Sequence, residues 1–259
     1  MRFLPYLARL VFAGFIAALA IALLAGFGKQ LGWWNFGTGL GMLPWAVYIG
    51  GGTVVLGIIW GAIAYFSGNT KAARIGIIGT LGAAVVIAFP LWGAYQAFFV
   101  VPPIHDITTD VVDPPVFSAA IVKARKDDHA LNASDYYGAT KVPWKGETKT
   151  VAEWQRKAYT DIHTVQLLIP PAKMYDRALK AAKAMGWKIV TDDPATGRIE
   201  ASDTTFFFGF TDDIVIRVAK SGMGAKLDIR SESRVGISDV GKNASRIRSY
   251  LKTLANTKS

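Results

Sequence analysis

A strand-like segment near the carboxyl end carries charged side chains at every second position. Alternate side chains of a strand point to the same face, so Asp228, Arg230, Glu232 and Arg234 share one face. Guanidinium groups form forked hydrogen bonds with carboxylates and phosphates. Three roles are open to such a face: a solvated sheet surface with weak ion pairs, an arginine-lined floor for an anionic ligand, or a contact surface for residues 101–162 or for a partner. We favour the solvated surface.

The preceding strand adds Asp213 and Arg217 to this charged pattern, opposite an apolar set. Asp212 and Asp213 are neighbours in that strand and point to opposite faces, so they cannot share a proton. We expect Asp212 to tighten the turn after Gly209 and Asp213 to pair with an arginine. The candidate residues for binding a ligand or partner are Asp213, Arg217, Arg230, Arg234, Asp239, Asn243 and Arg246.

The other reactive residue types form no catalytic or metal-binding pattern. The chain has no Cys, which excludes disulfides, thiolate metal sites and cysteine nucleophiles. His105-Asp106 is too small for a metal site, which needs three or four ligands. Ser238 and Asp239 are better explained as a helix cap than as a nucleophile with its partner. We therefore expect no metal and no cofactor, and the sequence identifies no catalytic residue.

The elements that position the charged residues follow from the pattern after residue 163. Alternation around Val165–Ile169 predicts a strand, and Pro170-Pro171 begins a helix with one apolar face. Four strands follow, and then a helix that Ser238 or Asp239 caps. The order β-α-β-β-β-β-α predicts an antiparallel sheet with both helices on one face, an α+β fold. The charged residues then lie on the helix-free face.

Residues 101–162, which we call the arm, are weakly periodic and contain two proline pairs. We predict an extended segment wrapped on the following domain, with a short helix around Val151–Ala158. The aromatic run Phe206–Phe210 is expected in the core, and contact with lipid is the alternative. The chain is thus predicted to contain a three-helix transmembrane region at 1–100, the arm at 101–162, and an α+β domain at 163–259.

No Asp or Glu precedes Asp106, and three long apolar runs lie in this stretch: Leu10–Phe27, Leu43–Phe66 and Ile75–Val100. A charge-free run of about 18 or more residues is typical of a membrane-spanning helix. No ionisable residue lies in the middle of a run, which argues against an ion pathway or a coupled transporter. The glycines at 50–52, 57 and 61 are expected to pack among these helices, and docking of another membrane protein is the alternative.

The distribution of positive residues predicts an orientation in the membrane. Arg2 and Arg9 precede the first run, Lys29 follows it, and Lys71 and Arg74 lie between the second and third runs. Because positive residues concentrate on the cytoplasmic side, we expect a cytoplasmic N-terminus and a periplasmic C-terminal domain. The net charge of +10 divides evenly between the two parts. It favours anionic lipid mildly, whereas no basic stripe indicates a nucleic-acid partner.

Long polar stretches of the C-terminal part resemble a known family. The runs Phe210–Arg217, Asp228–Gly236 and Ser238–Arg248 resemble the bacterial and plastid proteins catalogued as domain of unknown function 1499. Upstream, Pro103–Asp110 is also similar to that family, and the resemblance extends over roughly residues 102–255. It implies a membrane-linked envelope protein and no established activity.

These observations predict a bacterial inner-membrane protein with a non-catalytic role: organising an envelope or membrane complex, or binding an envelope lipid or anionic ligand. The alternative is an envelope hydrolase or transferase that acts on an anionic or lipidic substrate through the Asp/Arg-rich motif. An enzyme requires a concave cluster of Asp213, Arg217, Arg230 and Asp239. A flat, fully paired face argues against it.

Overall fold

The computed structural model describes residues 4–257, which form two compact units. A helical unit extends to Gln96 and also includes Phe206–Gly209. An α+β unit contains the chain from Ala97 onward, apart from those four residues. Arg2, which contributes to the predicted orientation, lies outside the described residues.

The helical unit consists of three long helices, as the apolar runs predict. They are α1 (Leu4–Gln30), α2 (Phe36–Phe66) and α3 (Thr70–Tyr95). A π-helical turn, Gln96–Val100, continues α3, so that the third apolar helix extends over Thr70–Val100. All three helices are long and apolar enough to cross a membrane.

Small residues determine how closely these helices approach one another. A Cβ atom on Gly50 would collide with the side chain of Ile87, and one on Gly57 would collide with Thr80. Both glycines are buried, so packing among the three helices is confirmed for them. A Cβ atom on Gly51 or Gly52 would have no neighbour within 4 Å in the described part of the chain.

The α+β unit has the predicted element order after residue 163, and the arm adds further elements before it. The short helix of the arm is confirmed at Val151–Ala158. It begins with a capping box in which the side chains of Thr150 and Glu153 each accept the other's backbone N–H. In chain order the elements are β1 (Asp106–Thr108), α4 (Ala119–Asp127), β2 (Lys141–Trp144), β3 (Glu147–Thr150), α5 (Val151–Ala158), β4 (Val165–Leu167), α6 (Pro171–Ala184), β5 (Lys188–Asp193), β6 (Arg198–Thr204), β7 (Thr211–Ser221), β8 (Gly224–Ser233) and α7 (Lys242–Asn256).

One antiparallel sheet organises the α+β unit, with the strand order β1-β8-β7-β6-β5. Strand β4 also pairs with β8, on residues that β1 leaves unpaired. The pairing of β1 with β8 places Asp106 opposite Glu232. The arm therefore contributes a strand to the sheet itself, and β2 and β3 form a separate hairpin.

Helices α6 and α7 cover one face of the sheet, as predicted. Helix α6 begins with Pro171 in its first turn, where the missing backbone N–H removes no helical hydrogen bond. Trp187 stacks on Tyr250 of α7, with the ring centroids 5.3 Å apart. The strands contribute an apolar layer beneath the helices, made of the fully buried side chains Ile199, Ile214, Ile216, Leu227 and Ile229.

The aromatic run Phe206–Phe210 lies in the connection between β6 and β7. Phe208 is buried, so the predicted core position is confirmed for it. Phe206 is 83% exposed, and the core prediction is wrong there. Strand alternation no longer determines which side chains are buried once the chain leaves the sheet.

Candidate functional site

The charged pattern of β8 and its neighbours lies on one face of the sheet, as alternation predicts. Register pairs place Asp213 of β7 opposite Glu232, and Arg217 opposite Asp228. This face is opposite the one that α6 and α7 cover, because the apolar residues between the charged ones contact those helices. We call it the charged face.

The charged face is not open to solvent. Asp213, Asp228, Arg230 and Glu232 are all fully buried. Elements of the arm cover them, since β1 pairs with β8 and Arg125 of α4 forms ion pairs with the sheet. The favoured interpretation of a solvated surface is therefore wrong, and the alternative of a contact surface for the arm is confirmed. Alternation shows which residues share a face but carries no information about what covers it.

Arg230 forms the centre of the buried network. Its Nε atom donates to Asp106 Oδ1 at 2.8 Å, and its Nη2 atom donates to Asp106 Oδ2 and to Glu232 Oε2, both at 3.0 Å. The guanidinium carbon lies 4.7 Å from the ring centroid of Phe117 and 5.4 Å from that of Tyr136. Two carboxylates and two aromatic rings thus surround a cation that has no contact with water.

Arg125 connects the arm to the middle of the charged face. Its Nη1 atom donates to Asp213 Oδ2 at 2.9 Å, and its Nη2 atom donates to Glu232 Oε1 at 3.0 Å. Asp213 also accepts two hydrogen bonds from Arg234, at 2.7 and 2.9 Å. The expectation that Asp213 pairs with an arginine is therefore confirmed twice. Arg125 was not among the candidate residues predicted from the sequence. The only indication was its position four residues after Ile121, which places both side chains on one face of a short helix.

The network balances three buried arginines against three buried carboxylates. Burial raises the pKa of Glu232, and the negative charge of Asp106 raises it further, whereas Arg125 and Arg230 lower it. Burial and the charge of Asp106 outweigh the two guanidinium groups, so the net effect is a raised pKa that disfavours the ionised form of Glu232. Removing either arginine would leave a carboxyl group in the interior without its counter-charge.

Further polar side chains hold the edges of the arm. Glu200 of β6 is fully buried and accepts the backbone N–H of Ser118 at 2.6 Å, at the start of α4. It also accepts hydrogen bonds from the hydroxyl groups of Ser118 and Thr191. Arg217 lies at the rim, where its side chain is 27% exposed and forms ion pairs at 3.0 Å with Asp228 and Asp113.

Arg246 and Asn243 form a second polar cluster on the opposite, helix-covered face. Arg246 Nη2 donates to Asp212 Oδ2 at 2.6 Å and to Asp203 Oδ2 at 2.8 Å. Arg246 Nη1 donates to Asn243 Oδ1, which also accepts the hydroxyl of Ser231 at 2.6 Å. The prediction that Asp212 tightens a turn is wrong, because its carboxylate pairs with a helix arginine.

Asp239 occupies the start of α7. Its two carboxylate oxygens accept the backbone N–H groups of Gly241 and Asn243, each at 2.7 Å. Burial raises the pKa of Asp239 to about 6, although these two hydrogen bonds act in the opposite direction. The capping role predicted for Asp239 is confirmed in these bonds, with the formal N-cap position at Gly241.

The seven candidate residues therefore do not form one site. Asp213, Arg217, Arg230 and Arg234 lie on the charged face, and the remaining three lie at the start of α7 or on the helix-covered face. The concave cluster that an enzyme would require is divided by the sheet. Within residues 4–257 no group of three or more His, Asp or Glu side chains is arranged to hold a metal ion.

The arm leaves one corner of the charged face uncovered. A cavity of about 450 Å³ opens there between α4 and the strands β5, β6 and β7. Arg234 and Asp128 lie on one side of it, 3.2 Å apart between Nη1 and Oδ2, and Lys188 of edge strand β5 lines it as well. Lys188 makes no ion pair with any residue in the described part of the chain. Ser202, Thr204 and Thr211 add hydroxyl groups.

The family described as "Protein of unknown function (DUF1499)" matches residues 106–254. This match covers more than half of the chain, which therefore belongs to that family. It begins at Asp106, the arm residue that pairs with Arg230, and extends through nearly all of α7. No match to a curated protein was found.

Proposed function

We propose that this member of the DUF1499 family is a non-catalytic protein of a bacterial inner membrane. In this proposal the α+β unit lies in the periplasm, where it binds an envelope lipid or anionic ligand, or organises a membrane complex. The observation that carries the proposal is the internal pairing of the charged face. Arg230 and Asp213, the most reactive-looking residues of the motif, are fully buried and hydrogen-bonded to other charged side chains.

An envelope hydrolase or transferase is less well supported by this geometry. Such an enzyme needs an accessible acid or base near a substrate-binding arginine. Asp213 is fully buried between Arg125 and Arg234, and Asp239 lies on the other face, where it caps α7. The charges are thus arranged to hold the arm on the sheet.

The orientation rests on the positive residues around the apolar helices. Lys71 and Arg74 lie between the second and third apolar helices, whereas Lys29 alone lies at the end of the first. The positive-inside rule then favours a periplasmic α+β unit. A reporter that fluoresces only in the cytosol should stay dark when it is fused to the carboxyl end of the chain. A fluorescent fusion protein would contradict this orientation.

The uncovered cavity beside Arg234 is where binding is proposed. Lys188 supplies a cation that has no ion-pair partner among residues 4–257, and Asp128 supplies a carboxylate whose side chain is 58% exposed. Charges of both signs beside hydroxyl groups suit a small anionic or zwitterionic group. Most charged residues of this face form internal ion pairs that hold the arm on the sheet. The uncovered corner remains accessible to a ligand.

In-cell photo-cross-linking tests the binding role. A photoreactive residue replaces Val190, which lines the cavity, and a matched control replaces the exposed Lys252 of α7. We expect one identified lipid or membrane protein to cross-link at position 190, to be absent at position 252, and to be lost when Lys188→Ala is added. Equal capture at both positions, or capture that Lys188→Ala leaves unchanged, would count against this function.

A further inference from the structure

The Phe206–Gly209 loop between β6 and β7 belongs to the helical unit. Its three phenylalanines differ in exposure: Phe208 is buried, Phe207 is half-buried and Phe206 is 83% exposed. Exposure of a large apolar ring to water is unfavourable. The surroundings of Phe206 therefore decide what this loop does.

Aromatic contacts pack the loop against two of the apolar helices. The ring centroid of Phe207 lies 5.4 Å from that of Phe27 in α1 and 6.2 Å from that of Phe89 in α3. The ring centroid of Phe206 lies 5.9 Å from that of Phe27. All three pairs are edge to face, the arrangement that aromatic rings prefer at such distances. The loop is thus held against α1 and α3 and does not project freely.

Gly26 of α1 leaves the space that the loop occupies. A Cβ atom at this position would lie 2.8 Å from the backbone carbonyl oxygen of Phe207 and 2.8 Å from Cζ of its ring. A backbone carbonyl cannot turn aside as the end of a flexible side chain can. The helix therefore accepts the loop because residue 26 has no side chain.

The end of α1 also supplies hydrogen bonds to the backbone of the loop. Lys29 Nζ donates to the carbonyl oxygen of Gly209 at 2.7 Å, and Gln30 Nε2 donates to the carbonyl oxygen of Phe206. The residue before the loop donates its backbone N–H to the carbonyl oxygen of the residue after it, at 2.8 Å. A segment in contact with lipid needs such internal partners, because hydrocarbon offers none.

The contacts with α1 lie at the depth where this helix would leave the hydrocarbon. Phe27 precedes Gln30, the last residue of α1, by about 4.5 Å along the helix axis. Lys29 places a charged group at the same end, and the exposed Trp33 that follows is typical of a membrane–water interface. If α1 spans a membrane, Phe206 lies at the boundary between the headgroups and the acyl chains.

The exposed ring of Phe206 continues the apolar surface of the helices. Phe89, which contacts the loop through Phe207, is itself 66% exposed. In each of the three helices less than a third of the most apolar stretch is buried inside the protein. Helices that span a membrane present such surfaces to lipid, and Phe206 lies beside them.

We propose that the Phe206–Gly209 loop is a lipid-contacting element, with the Phe206 ring inserted among acyl chains at the membrane boundary. Helix α1 holds the loop there through the contacts of Gly26 and Lys29. The bilayer, and not a second protein, covers the exposed ring, because this ring is continuous with the surface that the helices present to lipid. The inference rests on the proposed membrane anchoring, and the loop is separate from the cavity beside Arg234.

Spin labelling of the full chain tests this contact, because the chain has no Cys and a single cysteine can be introduced without competing sites. Phe206→Cys carries a nitroxide label in vesicles of phosphatidylethanolamine and phosphatidylglycerol. The readout is the ratio of two collision rates of the label, with oxygen, which dissolves in lipid, and with a water-soluble nickel chelate. We expect a label at position 206 to collide more often with oxygen than with the chelate.

Val112→Cys is the matched control for an exposed apolar side chain. Val112 is 87% exposed, but it lies between Asp110 and Asp113, whose charges exclude hydrocarbon. The ratio at position 112 should therefore be lower than the ratio at position 206. Equal ratios at the two positions would overturn the proposal.

Val55→Cys reports separately on the proposed membrane anchoring, because Val55 is an exposed side chain well inside α2. It should give the highest ratio of the three positions. A low ratio at position 55 would contradict the anchoring and this inference with it. A high ratio at position 55, together with a ratio at 206 as low as that at 112, overturns this inference alone.

Gly26→Ala tests whether α1 holds the loop. In the Phe206→Cys protein we expect this change to lower the ratio toward the value at position 112, because the new Cβ atom would collide with the Phe207 carbonyl group. Gly51→Ala is the matched control, since a Cβ atom there would meet no atom within 4 Å among residues 4–257, and it should leave the ratio unchanged. An unchanged ratio at position 55 shows that the helices of the Gly26→Ala protein remain inserted. If Gly26→Ala does not lower the ratio at position 206, α1 does not hold the loop and the proposal is overturned.

Discussion

The two faces of the sheet are both buried, but by opposite chemistry. Ile229 and Arg230 are neighbours in β8, and both side chains are fully buried. Ile229 faces the apolar layer under α6 and α7, whereas Arg230 faces Asp106 of the arm. The covering segment, and not the polarity of the strand, therefore decides whether a face is buried.

The two faces also differ in how their contacts contribute to stability. Apolar burial stabilises the fold by about 25 cal/mol per Å² of area removed from water, whatever the orientation of the partner. A buried ion pair contributes little net stability because both charges lose their hydration, but breaking it is costly. The charged face therefore requires the arm in one register, in which Asp106 lies opposite Glu232.

Arg230→Leu should have the largest effect on this comparison. We expect the opening free energy of β8 to fall by about 3–5 kcal/mol, because Asp106 and Glu232 remain buried without their shared cation. Hydrogen exchange of the full chain in detergent measures it in peptides from β7 and β8. Arg248→Leu is the control, since Arg248 pairs with Asp161 where both side chains are about half exposed, and it should cost about 0–1 kcal/mol. Equal small losses in both variants would show that the charged face tolerates an unpaired carboxylate.

Ile229→Val examines the apolar face at the adjacent position. We expect a loss of about 0.5–1.5 kcal/mol, because one methylene is removed from a packed layer that can partly relax. The same exchange experiment measures it. Ile237→Val makes the identical change at an exposed site and should lie within about 0.5 kcal/mol of zero. A loss as large as that of Arg230→Leu would remove the difference between the two faces.

Asp239→Asn should change the dependence of stability on pH and not a contact within either face of the sheet. The folded pKa of about 6 lies above the ordinary value of 3.8, so the folded state binds the proton more tightly. The contribution of Asp239 is then fully present below pH 3.8 and is lost as pH rises through about 6. Thermal unfolding of the full chain should show this decline in the parent protein and not in the variant. Parallel profiles of the two proteins would contradict it.

The sequence predicted those features that depend on neighbours in the chain. Alternation identified the shared face of Asp228 and Arg230, and local signals located α5 and the start of α6 at Pro171. It offered the arm as a cover for the charged face only as an alternative to the favoured solvated surface, because the decisive partners, Asp106 and Arg125, lie about a hundred residues upstream of β8. Nothing in the weakly periodic arm indicated that an arginine in a nine-residue helix would be buried.

The partner of Asp212 was missed for a related reason. Its side chain points to the helix-covered face, as alternation requires, but the cation it contacts belongs to α7. In the sequence alone, an aspartate that tightens a turn cannot be distinguished from an aspartate that forms an ion pair with a helix packed on the sheet. The helical unit was easier to predict, because a long apolar run depends on composition alone.

The ion pair between Asp106 and Arg230 joins residues that are 124 positions apart. Asp106 leaves the ribosome long before β8 has been translated, so for most of translation the nascent chain carries a first strand without its partner. Pairings over such long sequence distances close slowly, because the loop entropy must be lost first. A chain that terminates before Arg230 would leave β1 unpaired and exposed. Cellular proteases would then degrade the incompletely folded domain.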